Sequence, residues 1–502
     1  MAAIQPPNGT RDFYPEEALR RRYITEAWRA TSLRHGFEEI DGPTFEHLDL
    51  YTVKSGEGIV SELFSFERFG GEKKFALRPE FTPTLARMYA AKAASLPKPT
   101  KWFMAGPFFR AERPQRGRLR EFLQWNCDIL GLDVEWGATG TPAANTPTAP
   151  IASSTDTSRS EPWEILKSKA RADAEVIACC IELLKKMGLD SSRVRIKLNH
   201  RWLTESLLLY AGVGERKLGE WFTLIDRIPK LSEPDYLELA LRIGSNEPTA
   251  RIVRQAIKDS QRNPSGFNEV DPDLLHTWLF AESLARSEIR TRNISENRWN
   301  EASRYVNRLR QELLHSGVHD WVDLDSSIVR GLAYYTGMVF EVIVDGERAV
   351  AGGGRYDNLI ELFGGPSTPA VGFGMGDVVL SLVLKDKGLL PEGKELADLL
   401  DSPRCRASVR PDVFVISNGQ PECDALVPTL LSQARARGLH ARRSYKTTKK
   451  IAKLLADAAA QHARHAIIIE TPESCTLKNL DTQTQESLSF AAALDRLAPS
   501  SR

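Results

Sequence analysis

The chain has 502 residues, enough for two to four domains, and its 42% hydrophobic and 26% charged composition is typical of a globular protein. Its 67 basic and 66 acidic residues give a net charge of +1, so any nucleic-acid site has to be a local patch. No run of about 18 apolar residues occurs and the N-terminus lacks an apolar segment, so we expect neither a membrane span nor a secretory signal. The six cysteines lack CxxC spacing, which favours reduced thiols in a cytoplasmic protein over a disulfide framework or a metal cluster.

The N-terminal part predicts a helix followed by strands. Residues 16–35 place apolar side chains at helical spacing, and Gly36 is a natural stop. Short strand-like segments follow at 37–40 and 75–77.

Residues 101–131 are the most informative stretch. Apolar segments at 102–109 and 122–130 flank a polar loop, a pattern that predicts two antiparallel strands. The first segment ends in Arg110, and the loop carries Arg113, Arg116, Arg118 and Arg120. Guanidinium groups bind phosphate bidentately, so a phosphate-bearing ligand is one interpretation. A solvated hairpin with surface arginines is the alternative if the stretch is taken alone.

Low-complexity sequence then interrupts the pattern. Residues 137–162 are mostly Ala, Thr, Ser, Pro and Gly, which cannot bury enough apolar surface to offset the entropy of ordering. We expect a mobile surface loop inserted into a domain, because a long amphipathic helix resumes at 163–187. Residues 194–199 alternate like a strand, and 202–320 are mostly helical in pattern.

Strands and glycines return after residue 325. The segment 330–344 is β-rich, and the stretches AGGGRYD and VGFGMGD follow it. Neither matches a phosphate-binding P-loop or a dinucleotide fingerprint, so these glycines more simply allow close packing of backbone against itself or a ligand. Residues 389–410 have the composition of a linker.

Residues 411–502 form a separate unit with a βαβα pattern. Within it, residues 434–450 hold many basic residues and no acid. Two interpretations stay open for this run, a solvated surface and a nucleic-acid contact.

Several motifs occur in an order that resembles the histidyl-tRNA synthetase family of class II aminoacyl-tRNA synthetases. They are GTRDFYPEE (9–17), LRPEFTPTLAR (77–87), the arginine hairpin, RGLAYYTG (330–337), GGGRYD and GFGMG. The hairpin is similar to class II motif 2, VGFGMGDVVL to motif 3, and residues 34–51 to motif 1, which puts Pro43 at the dimer-facing proline. The resemblance covers nearly the whole chain.

The resemblance implies an α+β fold: an antiparallel sheet with flanking helices, a helical insertion and a C-terminal α/β anticodon-binding domain. We expect the catalytic core at 1–200 and 322–393, the insertion at 201–321, a linker at 394–410 and the anticodon-binding domain at 411–502. The implied reaction joins L-histidine to ATP, giving histidyl-adenylate and pyrophosphate, and then transfers histidine to the end of its tRNA. A cytoplasmic homodimer using ATP and Mg²⁺ is implied as well.

Family matches also assign roles to residues. Arg110 and Arg330 match the catalytic arginines at the α-phosphate. The residues that match the histidine pocket are Glu80, Thr82, Gln124, Asp128, Arg330, Tyr334 and Tyr335, with Asp128 and Tyr335 on the imidazole nitrogens. Those that match the ATP site are Arg110, Glu112, Arg113, Arg118 and Phe122, with Phe122 stacked on adenine. Taken singly, an aromatic or acidic residue in an apolar strand would more often be structural.

One departure from the family pattern concerns motif 3. This motif normally ends in an arginine on the γ-phosphate, but Val379 occupies that position and residues 374–384 contain no Arg or Lys. Our hypothesis is that Arg113, Arg116 or Arg118 of the motif 2 loop replaces it. The alternative function is a catalytically silent synthetase-like protein that binds histidine or tRNA for regulation, and it is disfavoured because Arg110, Arg330, Tyr335 and the C-terminal unit are kept.

Overall fold

The computed structural model describes residues 4–55, 57–132, 162–262, 289–329, 335–344, 349–402, 408, 410–446 and 448–497. Two predicted histidine-binding residues, Arg330 and Tyr334, lie outside this set. Nearly all of the predicted loop at 137–162 lies outside it too.

The helices are α1 Pro15–Arg34, α2 Asp49–Ser55, α3 Thr82–Lys92, α4 Trp163–Lys186, α5 Arg201–Tyr210, α6 Leu218–Ile225, α7 Glu233–Arg242, α8 Glu247–Arg262, α9 Ile289–His315, α10 Leu359–Leu362, α11 Asp377–Asp386, α12 Gly393–Asp401, α13 Pro421–Ala436, α14 Ile451–Ala460 and α15 Phe490–Leu497. Short 3₁₀ turns lie at Glu57–Glu62, Glu215–Lys217, Ile228–Lys230 and His319–Trp321. Within the described ranges, we find no helix with the length and apolar character that a membrane crossing requires.

The strands are β1 Glu38–Glu39, β2 Phe45–His47, β3 Ser65–Glu67, β4 Lys74–Leu77, β5 Thr100–Phe109, β6 Glu121–Leu130, β7 Val194–His200, β8 Val322–Leu324, β9 Met338–Val344, β10 Ala351–Arg355, β11 Ala370–Gly376, β12 Val413–Ser417, β13 Ala441–Arg443, β14 His465–Ile469, β15 Cys475–Asn479 and β16 Gln485–Leu488.

An eight-stranded sheet with the order β1-β5-β6-β11-β10-β9-β7-β8 forms the centre of the molecule. The pairs from β5 through β7 are antiparallel, and only the outer strands β1 and β8 pair in parallel with their neighbours. The predicted arginine hairpin is confirmed, since β5 and β6 pair in register from Thr100 opposite Leu130 to Phe109 opposite Glu121. The α+β class with an antiparallel core is therefore confirmed.

Side chains alternate between the two faces of β6, and this alternation separates core from cavity. Trp125, Cys127 and Ile129 are buried in the core that the sheet shares with α1 and α4. The intervening Gln124, Asn126 and Asp128 line a cavity on the opposite face. A single strand thus anchors the sheet to its helices and presents a row of polar groups to the other side.

The helices α5 to α8 form a second core with Leu208, Trp221, Tyr236 and Val253 at its centre. The long helix α9 packs on both α5 and α4 and so joins this helical region to the large sheet. This agrees with the helical pattern at 202–320.

The C-terminal unit contains a five-stranded sheet of order β13-β12-β14-β15-β16. Strand β12 pairs in parallel with β13 and β14, as the βαβα pattern predicts. The antiparallel strands β15 and β16 were not predicted.

The segment predicted as a linker differs from expectation, because it carries helix α12. Leu396 is fully buried and Leu400 nearly so, and this i, i+4 pair packs α12 against α1. The prediction was a linker because proline, glycine and charged residues dominate 389–410, and only Leu396 and Leu400 form the buried side of the helix.

Candidate active site

The candidate site is a cavity of about 90 Å³ on the face of the large sheet opposite α4. It brings together six of the predicted site residues: Glu80, Thr82, Arg110, Gln124, Asp128 and Tyr335. The remaining lining comes from Asn126, Tyr356, Phe373 and the glycines of β10 and β11. Glu112, Arg113, Arg118, Phe122 and Pro43 lie outside the lining.

Asp128 is held by a residue that the sequence analysis did not assign. The Tyr356 hydroxyl donates a 2.5 Å hydrogen bond to Oδ1 of Asp128, and both residues line the cavity. Burial raises the pKa of Asp128 to about 7, and the hydrogen bond from Tyr356 offsets part of that rise. This carboxyl therefore changes charge near neutral pH.

Glycines on β11 leave the space that these polar side chains occupy. A Cβ atom at Gly372 would lie 1.8 Å from Oδ1 of Asp128, and one at Gly374 would lie 2.1 Å from Nε2 of Gln124. Both distances are far below any real contact, so a side chain at either position would displace Asp128 or Gln124 from its present place. On β10, a Cβ at Gly354 would meet the ring of Tyr335 at 2.8 Å. The prediction that these glycines allow close packing is confirmed.

Gln124 and Asn126 point polar atoms into the cavity without partners in the described chain. Nε2 of Gln124 donates to Oδ1 of Asn126 at 3.2 Å. Oε1 of Gln124 and Nδ2 of Asn126 are buried and make no hydrogen bond within the described residues. Buried polar atoms of this kind carry a free-energy cost, and a ligand with complementary donor and acceptor groups would remove it.

Glu80 and Thr82 reach the cavity from the start of α3, and Tyr335 reaches it just before β9. Tyr335 is 7% exposed and belongs to the apolar cluster around Phe81 and Tyr356. Its phenol is thus fixed by packing, as a group that selects one ligand orientation has to be.

Arg110 lies at the rim, directly after β5. Its Nε donates to the carbonyl of Pro79 at 3.1 Å, and its guanidinium carbon lies 5.2 Å from the centre of the Phe122 ring. Phe122 also stacks on Phe108, with ring centres 6.2 Å apart. Arginine and aromatic ring together form a cationic, flat surface at the cavity mouth.

The arginines of the loop between β5 and β6 differ in whether they form ion pairs. Arg116 pairs with Asp386 at 2.5 Å, and Arg118 pairs with Glu112. Arg113 is exposed and makes no ion pair or hydrogen bond with any residue of the described ranges. Arg113, Arg116 and Arg118 are the three arginines proposed to replace the motif 3 arginine. Of these, Arg113 can bind a phosphate without first breaking an ion pair within the described residues.

Val379, at the motif 3 position where the family has an arginine, is both an apolar residue and a buried one. Val379 is 8% exposed and belongs to the core beneath the sheet. Two residues earlier, Asp377 accepts a hydrogen bond from the backbone of Leu123 at 2.8 Å and pairs with Arg11 at 2.7 Å. The N-terminal segment thereby fastens the ends of β6 and β11 together.

The basic run at 434–450 divides into a buried and an exposed half. Arg435 is 4% exposed, and its Nη2 pairs with Glu175 of α4 at 2.9 Å. Arg437, Lys446, Lys449 and Lys450 are exposed. Neither open interpretation holds for the entire run, since part of it anchors the C-terminal unit to the large sheet's helices.

Sequence reasoning missed Tyr356 and Asn126 as cavity residues. GGGRYD was interpreted through its glycines, although its tyrosine follows β10 directly. Asn126 follows the i, i+2 alternation that already linked Gln124 with Asp128, so strand periodicity was the available signal.

Comparison with known proteins places this geometry in a family. The family model described as histidyl-tRNA synthetase matches residues 9–134 and 165–377. The histidine–tRNA ligase of Opitutus terrae is 33% identical over 401 residues, which cover 80% of this chain and 79% of that protein. That of Thermococcus kodakarensis is 34% identical over 425 residues, covering 84% of this chain and 80% of the relative.

A solved structure supports the same fold. The crystal structure of histidyl-tRNA synthetase from Nostoc sp. superposes with a TM-score of 0.59 at 22% identity, covering 99% of this chain and 100% of that one. The match of the family model over most of the chain and the identity to curated relatives lead to one conclusion: the chain belongs to the histidyl-tRNA synthetase family.

Proposed function

We propose that this protein is a histidine–tRNA ligase, which activates L-histidine with ATP and transfers it to its tRNA. Family membership supports the activity. The observation that carries the proposal is the cavity itself, where Asp128, Gln124 and Arg110 meet. The acid and the amide lie on β6 and the cation lies directly after β5. Together they suit a ligand with an imidazole, an ammonium and a carboxylate.

We assign the imidazole to Asp128 and Tyr335. A neutral imidazole has one N–H donor and one nitrogen acceptor, so it requires an acceptor and a donor from the protein. Tyr356 occupies one oxygen of Asp128, and the other oxygen accepts the ring N–H. The hydroxyl of Tyr335 donates to the second nitrogen. An isostere that lacks these nitrogens would make neither of the two hydrogen bonds, and is rejected for that reason.

We assign the α-ammonium group to Glu80, Thr82 and the unpartnered Oε1 of Gln124. This orientation turns the substrate carboxylate towards Arg110 at the rim. The carboxylate oxygen attacks the α-phosphorus of ATP, the new O–P bond forms, and the bond to pyrophosphate breaks. Arg110, with Arg330 by family match, neutralises charge on the phosphate oxygens, so catalysis is mostly positioning and cationic stabilisation.

We propose that ATP places its adenine on Phe122 and its outer phosphates near Arg113 and Arg118. Mg²⁺ would accompany the phosphates, because Mg²⁺ in such sites is usually bound by one or two carboxylates together with substrate oxygens. Glu112 is a carboxylate that fits such a contact, and its pairing with Arg118 keeps it beside the loop.

We propose that tRNA contacts use the exposed half of the basic run. Changing Lys449 and Lys450 together to Ala should weaken tRNA binding and reduce its salt dependence, while adenylate formation stays unchanged. Arg496→Ala, also an exposed cation of this unit, is the matched control. Equal affinities of the double variant and the control would contradict this assignment.

We propose a homodimer formed through the face next to Pro43. There Phe45 and Phe66 are 51% and 43% exposed. Across the small sheet β2-β4-β3, Phe66 stacks on Phe75, and Phe45 meets both rings edge-on. Contiguous exposed aromatic rings are typical of protein interfaces. Phe66→Ser should shift sedimentation towards a monomer, whereas Leu362→Ser, on a separate exposed apolar residue, should not.

We also propose the domain division and location given by the sequence. The separate core of the C-terminal sheet supports the division at 411–502, and the second core of α5 to α8 supports an insertion within 201–321, of which α9 packs on the core of the large sheet. The five described cysteines are free thiols, which agrees with a reducing cytoplasm. Fractionation of cells that express the tagged protein tests the location.

The experiment that tests the function is ATP–pyrophosphate exchange with the purified protein and each amino acid in turn, without tRNA. We expect exchange with histidine alone. Histidine binding without exchange would overturn the ligase proposal and indicate a catalytically silent relative in which Val379 cannot be compensated.

A further inference from the structure

A second cavity, of about 570 Å³, lies between the helices behind the large sheet and the C-terminal unit. Its walls come from the end of α1, the outer face of α4, the end of α9, and α13 with β13. It shares no lining residue with the candidate active site. Its volume lies within the range of protein sites for small organic ligands.

Basic groups outnumber acids in this wall. Seven arginine and lysine side chains line it, against the three glutamates Glu175, Glu182 and Glu312. Each glutamate already has a basic partner within 3.2 Å: Arg435 for Glu175, Lys186 for Glu182 and Arg171 for Glu312. The wall therefore holds four more basic groups than acids, seven against three.

Part of this excess of positive charge lies around Glu312. Glu312 pairs with both Arg171 and Arg308, and Arg443 lies close by. Arg443 makes no ion pair with a described residue, and its Nε is buried without a hydrogen bond in that part of the chain. Burial and the charge of Arg171 lower the pKa of Arg443, so an anion bound beside it would favour its charged form.

The wall also has an apolar part. It consists mainly of Ala174 and Ala178 of α4 with Pro428 and Leu431 of α13. Both alanines and Leu431 are buried. A site of this volume admits a small molecule but not an RNA helix, and its apolar part suits an organic body.

From this arrangement we propose that the interdomain cavity binds a small phosphorylated organic molecule, whose phosphate lies between Arg443 and Arg171. Each guanidinium group can donate two parallel hydrogen bonds to a phosphate, so two arginines can hold one phosphate from two sides. The ligand would join the C-terminal unit to α4, the helix that packs directly behind β6 and β11. The site is independent of the proposed catalytic function.

The test is calorimetric titration of the full chain with ribose 5-phosphate, with ribose as the uncharged control. We expect ribose 5-phosphate to bind and ribose not to bind. Arg443→Gln should weaken binding about tenfold or more, because a charge-assisted phosphate contact is lost. Arg496→Gln removes an exposed cation of the same unit and should have no effect.

Two further variants locate the binding. Ala436→Trp places a large side chain at an exposed position of the cavity mouth, so it should weaken binding without altering charge or core packing. Arg110→Gln should leave binding intact if the cavity, and not the active site, holds the ligand. Absence of binding to wild type, loss of binding in Arg110→Gln, or unchanged binding in both Arg443→Gln and Ala436→Trp would each overturn the proposal. Loss of tRNA affinity alone in Arg443→Gln would do so as well.

Discussion

At the scale of single residues, the protonation of Asp128 makes the stability of the folded protein depend on pH. Its pKa is about 7 in the folded protein, against roughly 3.9 in an unfolded chain. The folded state therefore binds more protons between these values. The stability that this carboxyl contributes is fully present below about pH 4 and is lost as pH rises through 7.

Asp128→Asn should remove this pH dependence. We expect the free energy of unfolding of the variant, relative to wild type, to increase from pH 4 to pH 8 by up to about 4 kcal/mol, since one pKa unit corresponds to ~1.4 kcal/mol. Urea denaturation at several pH values measures it. Asp386→Asn, which changes a half-exposed carboxylate, is the matched control. If the difference in unfolding free energy between the variant and wild type did not change from pH 4 to pH 8, Asp128 would remain ionised throughout this range.

Arg113 is the second residue with a specific expectation. Arg113→Ala should raise the KM for ATP far more than the KM for histidine, because its guanidinium is available for the outer phosphates. Arg116→Ala, which breaks the pair with Asp386, should have a smaller effect on the ATP KM. Initial-rate measurements of pyrophosphate exchange separate the two constants, and equal increases in both would exclude the assignment.

At the scale of elements, strand β11 determines how closely the polar row of β6 can be approached. Gly372→Ala would force Asp128 out of position, since the added Cβ would lie 1.8 Å from its carboxylate. We expect at least about a tenfold rise in the histidine KM, in line with misplacement of a positioning group.

Gly376→Ala on the same strand is the control, because no heavy atom lies within 4 Å of the Cβ it would add. Unfolding curves of both variants establish that the fold is retained. If both glycine variants bound histidine as wild type does, close approach of β11 would not position Asp128.

The elements also show what a sequence can predict. The hairpin β5–β6 was predicted because two apolar runs and a polar loop are local features. The partner of β6 on its other side, β11, lies roughly 240 residues later, and no local pattern specifies that pairing. The hydrogen bond from Tyr356 to Asp128 depends on it and was missed for the same reason. Helix α12 was missed because only two of its leucines, Leu396 and Leu400, are buried, with Leu399 partly buried beside them.

At the scale of the whole molecule, the buried half of the basic run fixes the C-terminal unit. Arg435 donates to the carbonyl of Arg34 at 3.1 Å and pairs with Glu175, which Lys101 and His35 also contact. These groups come from α1, α4, β5 and α13. Composition at 434–450 could not reveal this, because the burial of Arg435 depends on an acid about 260 residues away.

Arg435→Gln should destabilise the protein by about 3–5 kcal/mol, because it leaves the buried Glu175 short of a partner. Arg437→Gln removes a more exposed arginine two residues later, whose pair with Asp495 measures 3.5 Å, and should cost less than ~1 kcal/mol. Chemical denaturation compares them. Similar midpoints for the two variants would mean that the ion-pair network does not hold the C-terminal unit in place.

The order of strands in the large sheet has a consequence for synthesis on the ribosome. Strand β6 has β5 on one side as soon as the hairpin is made, but its other neighbour, β11, is still to be translated. At roughly 5–20 residues per second, the intervening stretch takes about ten to fifty seconds. For that interval the backbone groups on the second edge of β6 have no β11 to pair with. The nascent chain therefore has to keep this strand edge from pairing with other chains until translation supplies its partner.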